Sequence, residues 1–365
     1  MISSIFPARQ QVPPGGGTEQ SIRRIKASVA IIALLSAGAV WVILRALGGR
    51  GFDWRLVAFS LAHVRAGWLL LAVAGIYTTY WGRALRWAVF LRPLKASPSM
   101  ANLLAATVIG FTAITLLGRP GEFVRPYLIA VKEKVPLVSQ LGAWLLERIA
   151  DLLMVLLLFG FALSRVGPSA EAAGPRLRWL LQEGGRFVAA AAACLLILLL
   201  SCRHLISPAQ HAFDRAFRFL PEKMCIALNR LVKAFVRGVE STRSNVALLE
   251  VLAYSVLEWL LIIASYWCLA RSFRGLNLTF LDVLVFMGFV ALGASVQIPG
   301  IGGGIQVTAV VVLTELFGVR LERATVFAFF IWLLTFVAVV PVGLVLGMRE
   351  GLEWGNLHRL KLHDS

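Results

Sequence analysis

The chain has few of the groups that metal centres, disulfide scaffolds and nucleotide sites are built from. Its four cysteines, Cys194, Cys202, Cys225 and Cys268, include no C-x-x-C pair, and two of them lie in apolar runs. That argues against a disulfide framework and against a zinc site. The five histidines, His63, His204, His211, His358 and His363, all fall in segments that read as loops or tails. A haem or histidine–metal centre inside the membrane would have no ligands, and no cofactor is expected. No G-x-x-x-x-G-K-[ST] loop occurs. The longest polar stretch, about 203–243, is too short for a soluble domain. Acids are scarce: 19 aspartates and glutamates stand against 36 lysines and arginines, for a net charge of +17.

Apolar residues are what the chain has in excess. They make up 59% of its 365 positions, with a mean hydropathy of +0.79, where a soluble domain has roughly 45–50%. Several apolar runs approach the ~20 residues that cross a ~30 Å hydrocarbon core. The expected fold is an all-α polytopic integral membrane protein. The basic excess lies in short loops beside these runs. It therefore points to positive-inside topology and to anionic headgroups rather than to nucleic acid.

In order, residues 1–26 read as a flexible cytoplasmic tail, 27–348 as one transmembrane domain and 349–365 as a second cytoplasmic tail. The first span is expected at about 27–47 and an interfacial helix at 52–65. The second span, about 67–91, ends in Trp81, Arg83, Arg86 and Trp87. This cluster reads as an anchoring belt at a membrane face, with a ligand contact at Arg86-Trp87 as the alternative. Apolar segments follow at 100–117, 137–163, 187–201, 247–270, 281–298, 305–318 and 324–348. If 100–117 and 281–318 turn back instead of crossing, 23 lysines and arginines fall on the cytoplasmic side and 12 on the other. If 100–117 crosses, the loop 203–243 moves outside with its eight bases. The bias thus favours about six full spans plus two re-entrant hairpins. Gly110-Phe111 before Pro120-Gly121 and Gly288-Phe289 before Pro299-Gly300 give the hairpins a weak likeness, as in an inverted repeat.

Charges in or beside these apolar segments carry the functional reading, because one at the centre of a span costs roughly 2.5–3.5 kcal/mol without a partner or a task. In Arg119-Pro120-Gly121-Glu122-x-x-Arg125, proline and glycine break the helix. The spacing lets Glu122 pair with Arg125 and leaves Arg119 to grip a phosphate with its planar fork. Pro126 would open a half-helix whose N-terminus adds positive potential. An ordinary charged loop is the competing reading. Glu147, Arg148 and Asp151 share a helix. They suit either a buried network, with Arg148 on Asp151 and Glu147 reaching Arg119 or Arg125, or a proton or cationic-headgroup site. Glu258 and Glu315 are lone acids, each a proton carrier or an arginine's partner. Pro299-Gly300-Ile301-Gly302-Gly303-Gly304-Ile305-Gln306 could offer bare amides to an anion or merely permit close packing.

These motifs, in this order, resemble the flippase-like family, the transmembrane region of lysylphosphatidylglycerol synthases. The family's R-x-G-E-x-x-R falls on Arg119, Gly121, Glu122 and Arg125. Its E-R-x-x-D falls on Glu147, Arg148 and Asp151, and its P-G-G-x-G-x-x-E on Pro299 to Gln306. The chain departs from it at Leu117, where proline is common, at Ile301, where glycine is usual, and at Gln306, where glutamate stands. The resemblance implies a bacterial inner-membrane protein that handles an anionic or modified lipid: aminoacylated, glycosylated or hopanoid-type. It implies a substrate site on Arg119, Gly121, Glu122, Arg125, Glu147, Arg148, Asp151, Pro299, Gly300, Gly302, Gly303, Gly304 and Gln306. Bifunctional relatives carry an aminoacyl-transferase domain, for which this chain has no room. Lipid translocation is the leading reading. The alternatives are a non-catalytic partner of lipid-synthesis enzymes and an intramembrane lipid-modifying enzyme. The last lacks a nucleophile–base pair or a metal motif, although a carboxylate can act alone.

Overall fold

A computed structural model describes residues 52–169, 183–197, 234, 245–294, 297–298 and 302–350. The expected first span at 27–47, most of the basic loop 203–243, both tails, Pro299 and Gly300 lie outside the described residues. What is described is an all-helical membrane protein. Helix α1 (Trp54–Ala62) is capped by Asp53, whose Oδ1 accepts from the amides of Arg55 and Leu56 at 3.0 and 3.2 Å. It meets α2 (Ala66–Leu91) at a 76° bend. Helices α3 (Met100–Leu117), α4 (Val124–Glu133), α5 (Leu137–Ser169) and α6 (183–197) follow. Next come α7 (Asn245–Ser272), α8 (Phe280–Gly293) and α9 (Gly304–Glu315). The last are α10 (Leu321–Trp332), a π-turn (Leu333–Val337) and α11 (Val340–Arg349). Among the described residues, three segments are long and apolar enough to cross a membrane: Met100–Leu117, Asn245–Ser272 and Leu321–Arg349. The bent α1–α2 pair would make a fourth.

The segment 99–133 doubles back on itself. α3 ends at Gly118, whose φ of +71° suits glycine, because a side chain there is strained. A 3-10 turn, Arg119–Phe123, reverses the chain. A Cβ on Gly121 would run into the main chain at Ala113 and Ile114, so only glycine lets the returning strand lie against α3. Further down, a Cβ on Gly110 would fall 2.6 Å from that of Arg125. The base is clasped by Glu133. Its carboxylate accepts from Lys95 Nζ at 2.7 Å, the Ser99 amide at 3.2 Å and Asn102 Nδ2 at 2.7 Å. The end of α4 therefore lies at the start of α3.

The second hairpin is α8–α9. Its tip carries a short antiparallel bridge, Gln297–Ile298 against Gly302–Gly303, and Gly303 has a φ of +91°. Here too glycine sets the approach distance. A Cβ on Gly293 would meet the Gly304 carbonyl at 2.8 Å, and one on Gly288 would sit 2.9 Å from Ala162 on α5. The longest helix–helix interface joins α2 to α7, with Gly75 against Ser265. Small residues at such crossings let backbones approach where lipid supplies no hydrophobic drive.

The π-turn precedes Pro341, which cannot donate to the helix ladder. Thr335 adds a competing bond to the Ile331 carbonyl at 2.9 Å. The Ala338 carbonyl accepts from Tyr77 Oη, and the Val339 carbonyl from Thr112 Oγ1 at 3.5 Å. Neighbouring helices thus support the break, as a non-helical turn in hydrocarbon requires.

Candidate functional site

Four helices bring their charges to one buried point. Arg83 and Arg86 are three apart on α2, Arg125 is on α4, Glu147, Arg148 and Asp151 are on α5, and Glu258 is on α7. Arg86 is fully buried at the centre. Its guanidinium lies 2.7 Å from Glu147, 2.8 Å from Asp151, 3.2 Å from Glu258 and 2.8 Å from Ser255 Oγ. Arg125 donates to both oxygens of Glu147, at 2.8 and 3.0 Å, and to the Arg83 carbonyl at 3.1 Å. Arg148 reaches Asp151 at 3.0 Å and Glu147 at 3.5 Å. Arg83 reaches Glu258 at 2.6 Å. Glu258 stands at the middle of the 28-residue α7, about 20 Å from either end at 1.5 Å per residue.

Aromatic rings complete the setting. The Trp87 ring lies 4.2 Å from the Arg125 guanidinium, and the Phe111 ring 4.3 Å from that of Arg83. Trp87 Nε1 donates to Gln140 Oε1 at 3.0 Å and fixes the indole. A desolvated cation–π contact contributes about 2 kcal/mol. Removing one partner of a buried pair costs roughly 3–5 kcal/mol, because the other charge stays behind in low dielectric. The network is held by mutual need: each charge is tolerable only while the others are present.

Beside the network, between the two hairpins, lies a cavity of about 320 Å³. α2 contributes Thr79, Tyr80 and Arg83 to its wall, and α3 contributes Phe111 and Thr115. The second hairpin contributes Ile305 and Gln306, and the end of α10 with the π-turn contributes Trp332, Thr335 and Phe336. Arg83 thus touches both the cavity and the ion network. Gln306 Oε1 and Arg83 Nε are buried without a hydrogen-bond partner. Pockets that hold small ligands run from about 300 to 1,000 Å³. The space suits a headgroup and is too small for a whole lipid.

The expected site residues separate. Arg125, Glu147, Arg148 and Asp151 join the network. The pairings Arg148–Asp151 and Arg125–Glu147 are those of the buried-network reading. The pairing of Glu122 with Arg125 is corrected: Glu122 takes Arg119 instead, at 3.2 Å. In the 3-10 turn, residues three apart eclipse, which aligns Arg119 with Glu122, while Arg125 turns inward on α4. Arg119 is therefore a paired group at the hairpin tip, 61% exposed. α4 starts at Val124, so Pro126 is its third residue and does not open it. Gly121 serves the reversal. Gly302 and Gly303 form the bridge at the second tip, Gly304 opens α9, and Gln306 lines the cavity.

Four residues outside the motifs, Arg83, Arg86, Trp87 and Glu258, complete the network. Arg86 and Trp87 are both fully buried, which overturns the anchoring reading at those two positions, while Trp81 is exposed. Glu258 is a partner for Arg83 and Arg86. Intramembrane arginines three apart, with no acid on their own helix, were the signal available in the sequence. Glu315, the other lone acid, is exposed.

The family model described as the lysylphosphatidylglycerol synthase TM region matches residues 26–343. No curated protein and no solved structure matches the chain significantly.

Proposed function

Since the chain belongs to the lysylphosphatidylglycerol synthase transmembrane-region family, a membrane family related to lipid modification or transport, we propose that it is a lipid translocase of the bacterial inner membrane, with both termini cytoplasmic. Its cargo is an anionic or modified lipid. The observation that carries this reading is the placement of Arg83. One guanidinium borders a headgroup-sized cavity on one side and belongs to a buried ion network on the other.

A headgroup entering the cavity meets Arg83 and competes with Glu258 for it. The cavity is walled by the continuous helices α2 and α7 and, opposite them, by the broken segments: the C-terminal half of α3, the start of α9 and the π-turn. Both hairpins and the π-turn can change spacing without unfolding a span, since each already contains a backbone break. Acyl chains would remain in the bilayer outside. Arg125, Glu147, Arg148 and Asp151 hold Arg86, and through Arg86 and Glu258 they hold Arg83.

The test is transbilayer exchange of fluorescent lipids in proteoliposomes containing the full chain. Wild type is expected to accelerate exchange of an anionic lipid, and Arg83→Gln to abolish it in folded protein. Lipid that is chemically altered instead of exchanged would replace this reading with an enzyme. Neither exchange nor alteration would favour a non-catalytic partner of lipid-synthesis enzymes.

A further inference from the structure

We propose that Glu258 takes up a proton when an anion occupies Arg83, so that lipid movement carries protons with it. The proposal rests on the translocase reading above and adds what drives the movement.

The first observation is how differently the three acids of the network are held. Glu147 accepts hydrogen bonds from Arg86 at 2.7 Å and from Arg125 at 2.8 and 3.0 Å, and Asp151 accepts from Arg86 at 2.8 Å. Glu258 lies 2.6 Å from Arg83 and 3.2 Å from Arg86, yet neither of its buried oxygens receives an aligned N–H. Hydrogen bonds donated to a carboxylate favour its charged form. Glu147 and Asp151 have that support, whereas Glu258 depends on the neighbouring charges.

The second observation is which charges those are. α7 packs on α2, α5 and α8. From α2 come Arg83 and Arg86. From α5 come Glu147 and Asp151, which share Arg86 with Glu258, and Arg148, which pairs with both acids. On α8, Asp282 is engaged in a capping box with Thr279 at the helix start. On α7 itself, Glu250 pairs with Arg92 and Arg271 lies over Trp267. Arg86 already donates to Glu147, Asp151 and Ser255. Among the described residues, Arg83 is thus the cation that Glu258 shares with no other acid. An anion on Arg83 strips Glu258 of that partner, in a setting where uncompensated charge is costly. A proton on Glu258 restores the balance. One anion and one proton enter, an O–H bond forms at the carboxylate, and the net charge of the site is the same before and after. Release of the anion reverses each step.

The third observation is access. Arg83 stands at the cavity wall, with Glu258 directly behind it. The lining mixes donors and acceptors: the hydroxyls of Tyr80, Thr115, Tyr266 and Thr335, the Trp332 indole and the Gln306 amide. At ~30 Å³ per water, about 320 Å³ accommodates enough water to bring a proton to the Arg83–Glu258 pair without crossing hydrocarbon.

Three measurements on the full chain test this. Infrared spectra in detergent near neutral pH read the carboxyl itself. Arg83→Gln, which imitates the loss of the cation, is expected to show a protonated-carboxyl band that wild type lacks and that the double variant Arg83→Gln/Glu258→Gln loses. Absence of the band in folded Arg83→Gln, or its survival in the double variant, overturns the proposal. If Arg83→Gln does not fold, the probe arm decides. In weakly buffered detergent, dihexanoyl-phosphatidylglycerol, used as a monoanionic probe, should draw one proton per molecule bound by wild type and none in Glu258→Gln. No uptake by wild type overturns the proposal. Proteoliposomes with the voltage clamped by potassium and valinomycin read the coupling, with protein-free vesicles as the baseline. Under a pH gradient, fluorescent phosphatidylglycerol should accumulate in the leaflet facing the alkaline side, by about tenfold per pH unit, as one proton per lipid requires. Glu258→Gln should remove that accumulation. Wild-type exchange that ignores the gradient refutes the coupling and leaves the translocase standing. Proton uptake with the probe but no exchange of any lipid refutes the translocase and leaves Glu258 as a proton site linked to the anion.

Discussion

Arg86 on α2 and Glu147 on α5 face each other at 2.7 Å, and neither reaches the surface. Glu147 also holds Arg125, so one carboxylate serves two guanidiniums from two other helices. Glu147→Gln is expected to destabilise the protein by roughly 3–5 kcal/mol, the usual cost of stranding buried partners. The effects of Arg125→Met and Glu147→Gln should be strongly non-additive, since they remove the two ends of one contact. Unfolding of the single and double variants in detergent gives the coupling directly. Additive losses would mean that the pair is not an energetic unit.

Glycine matters at Gly121 for a reason that does not hold at Gly82. A Cβ at 121 meets the backbone at Ala113 and Ile114, whereas one at 82 meets nothing within 4 Å. Gly121→Ala should therefore cost about 1–3 kcal/mol through overpacking. Gly82→Ala should gain about 0.5–1 kcal/mol, as expected for alanine in a helix interior. Thermal denaturation of the two variants side by side tests the contrast. Equal effects would refute the packed reversal.

The clasp at Glu133 is sensitive to acid. Burial works against its carboxylate, but hydrogen bonds from Lys95, Asn102 and the Ser99 amide outweigh that and hold it below the usual carboxylate range. A carboxylate lowered in the folded state contributes stability above its unfolded pKa and loses it as pH falls through the folded one. Amide exchange at the base of the α3–α4 hairpin, corrected for its intrinsic pH dependence, should rise on acidification below the normal carboxylate pKa. Glu133→Gln should abolish that dependence. An unchanged profile in the variant would assign the effect to another group.

Pro341 sustains the π-turn that places Thr335 and Phe336 at the cavity. Pro341→Ala restores a donor to the ladder and should straighten the segment. The expected result is a several-fold slower lipid exchange at equal or higher melting temperature. Slower exchange together with a lower melting temperature would point to general loosening instead.

Much of this architecture is readable from hydropathy and helix-breaking residues. Met100–Leu117 matches the apolar run because Ser99 caps one end and Gly118 stops the other. The Arg148–Asp151 pair follows from spacing, whereas for Glu147 the sequence leaves Arg119 and Arg125 open and packing selects Arg125. Arg83, Arg86 and Glu258 could not be placed that way. Arg86 sits beside Trp87 near the end of its helix, as a membrane anchor does. Only the adjacency of α2 to α5 and α7, a matter of tertiary packing, turns it inward. At the hairpin tip an α-helical spacing predicts Glu122 with Arg125, whereas the 3-10 turn there aligns Arg119 with Glu122.

The network also constrains how the chain is made. Arg125 and its partner Glu147 are 22 residues apart, so they emerge from the ribosome almost together and can enter the bilayer as one neutralised unit. Arg86 must wait 61 residues for Glu147 and 169 for Ser255. During that interval α2 carries its arginines without the acids that will house them. The helix that ends up at the centre of the site is therefore the one whose insertion depends most on later synthesis. A chain interrupted before α7 would hold α2 at the translocon or the interface instead of releasing it into lipid.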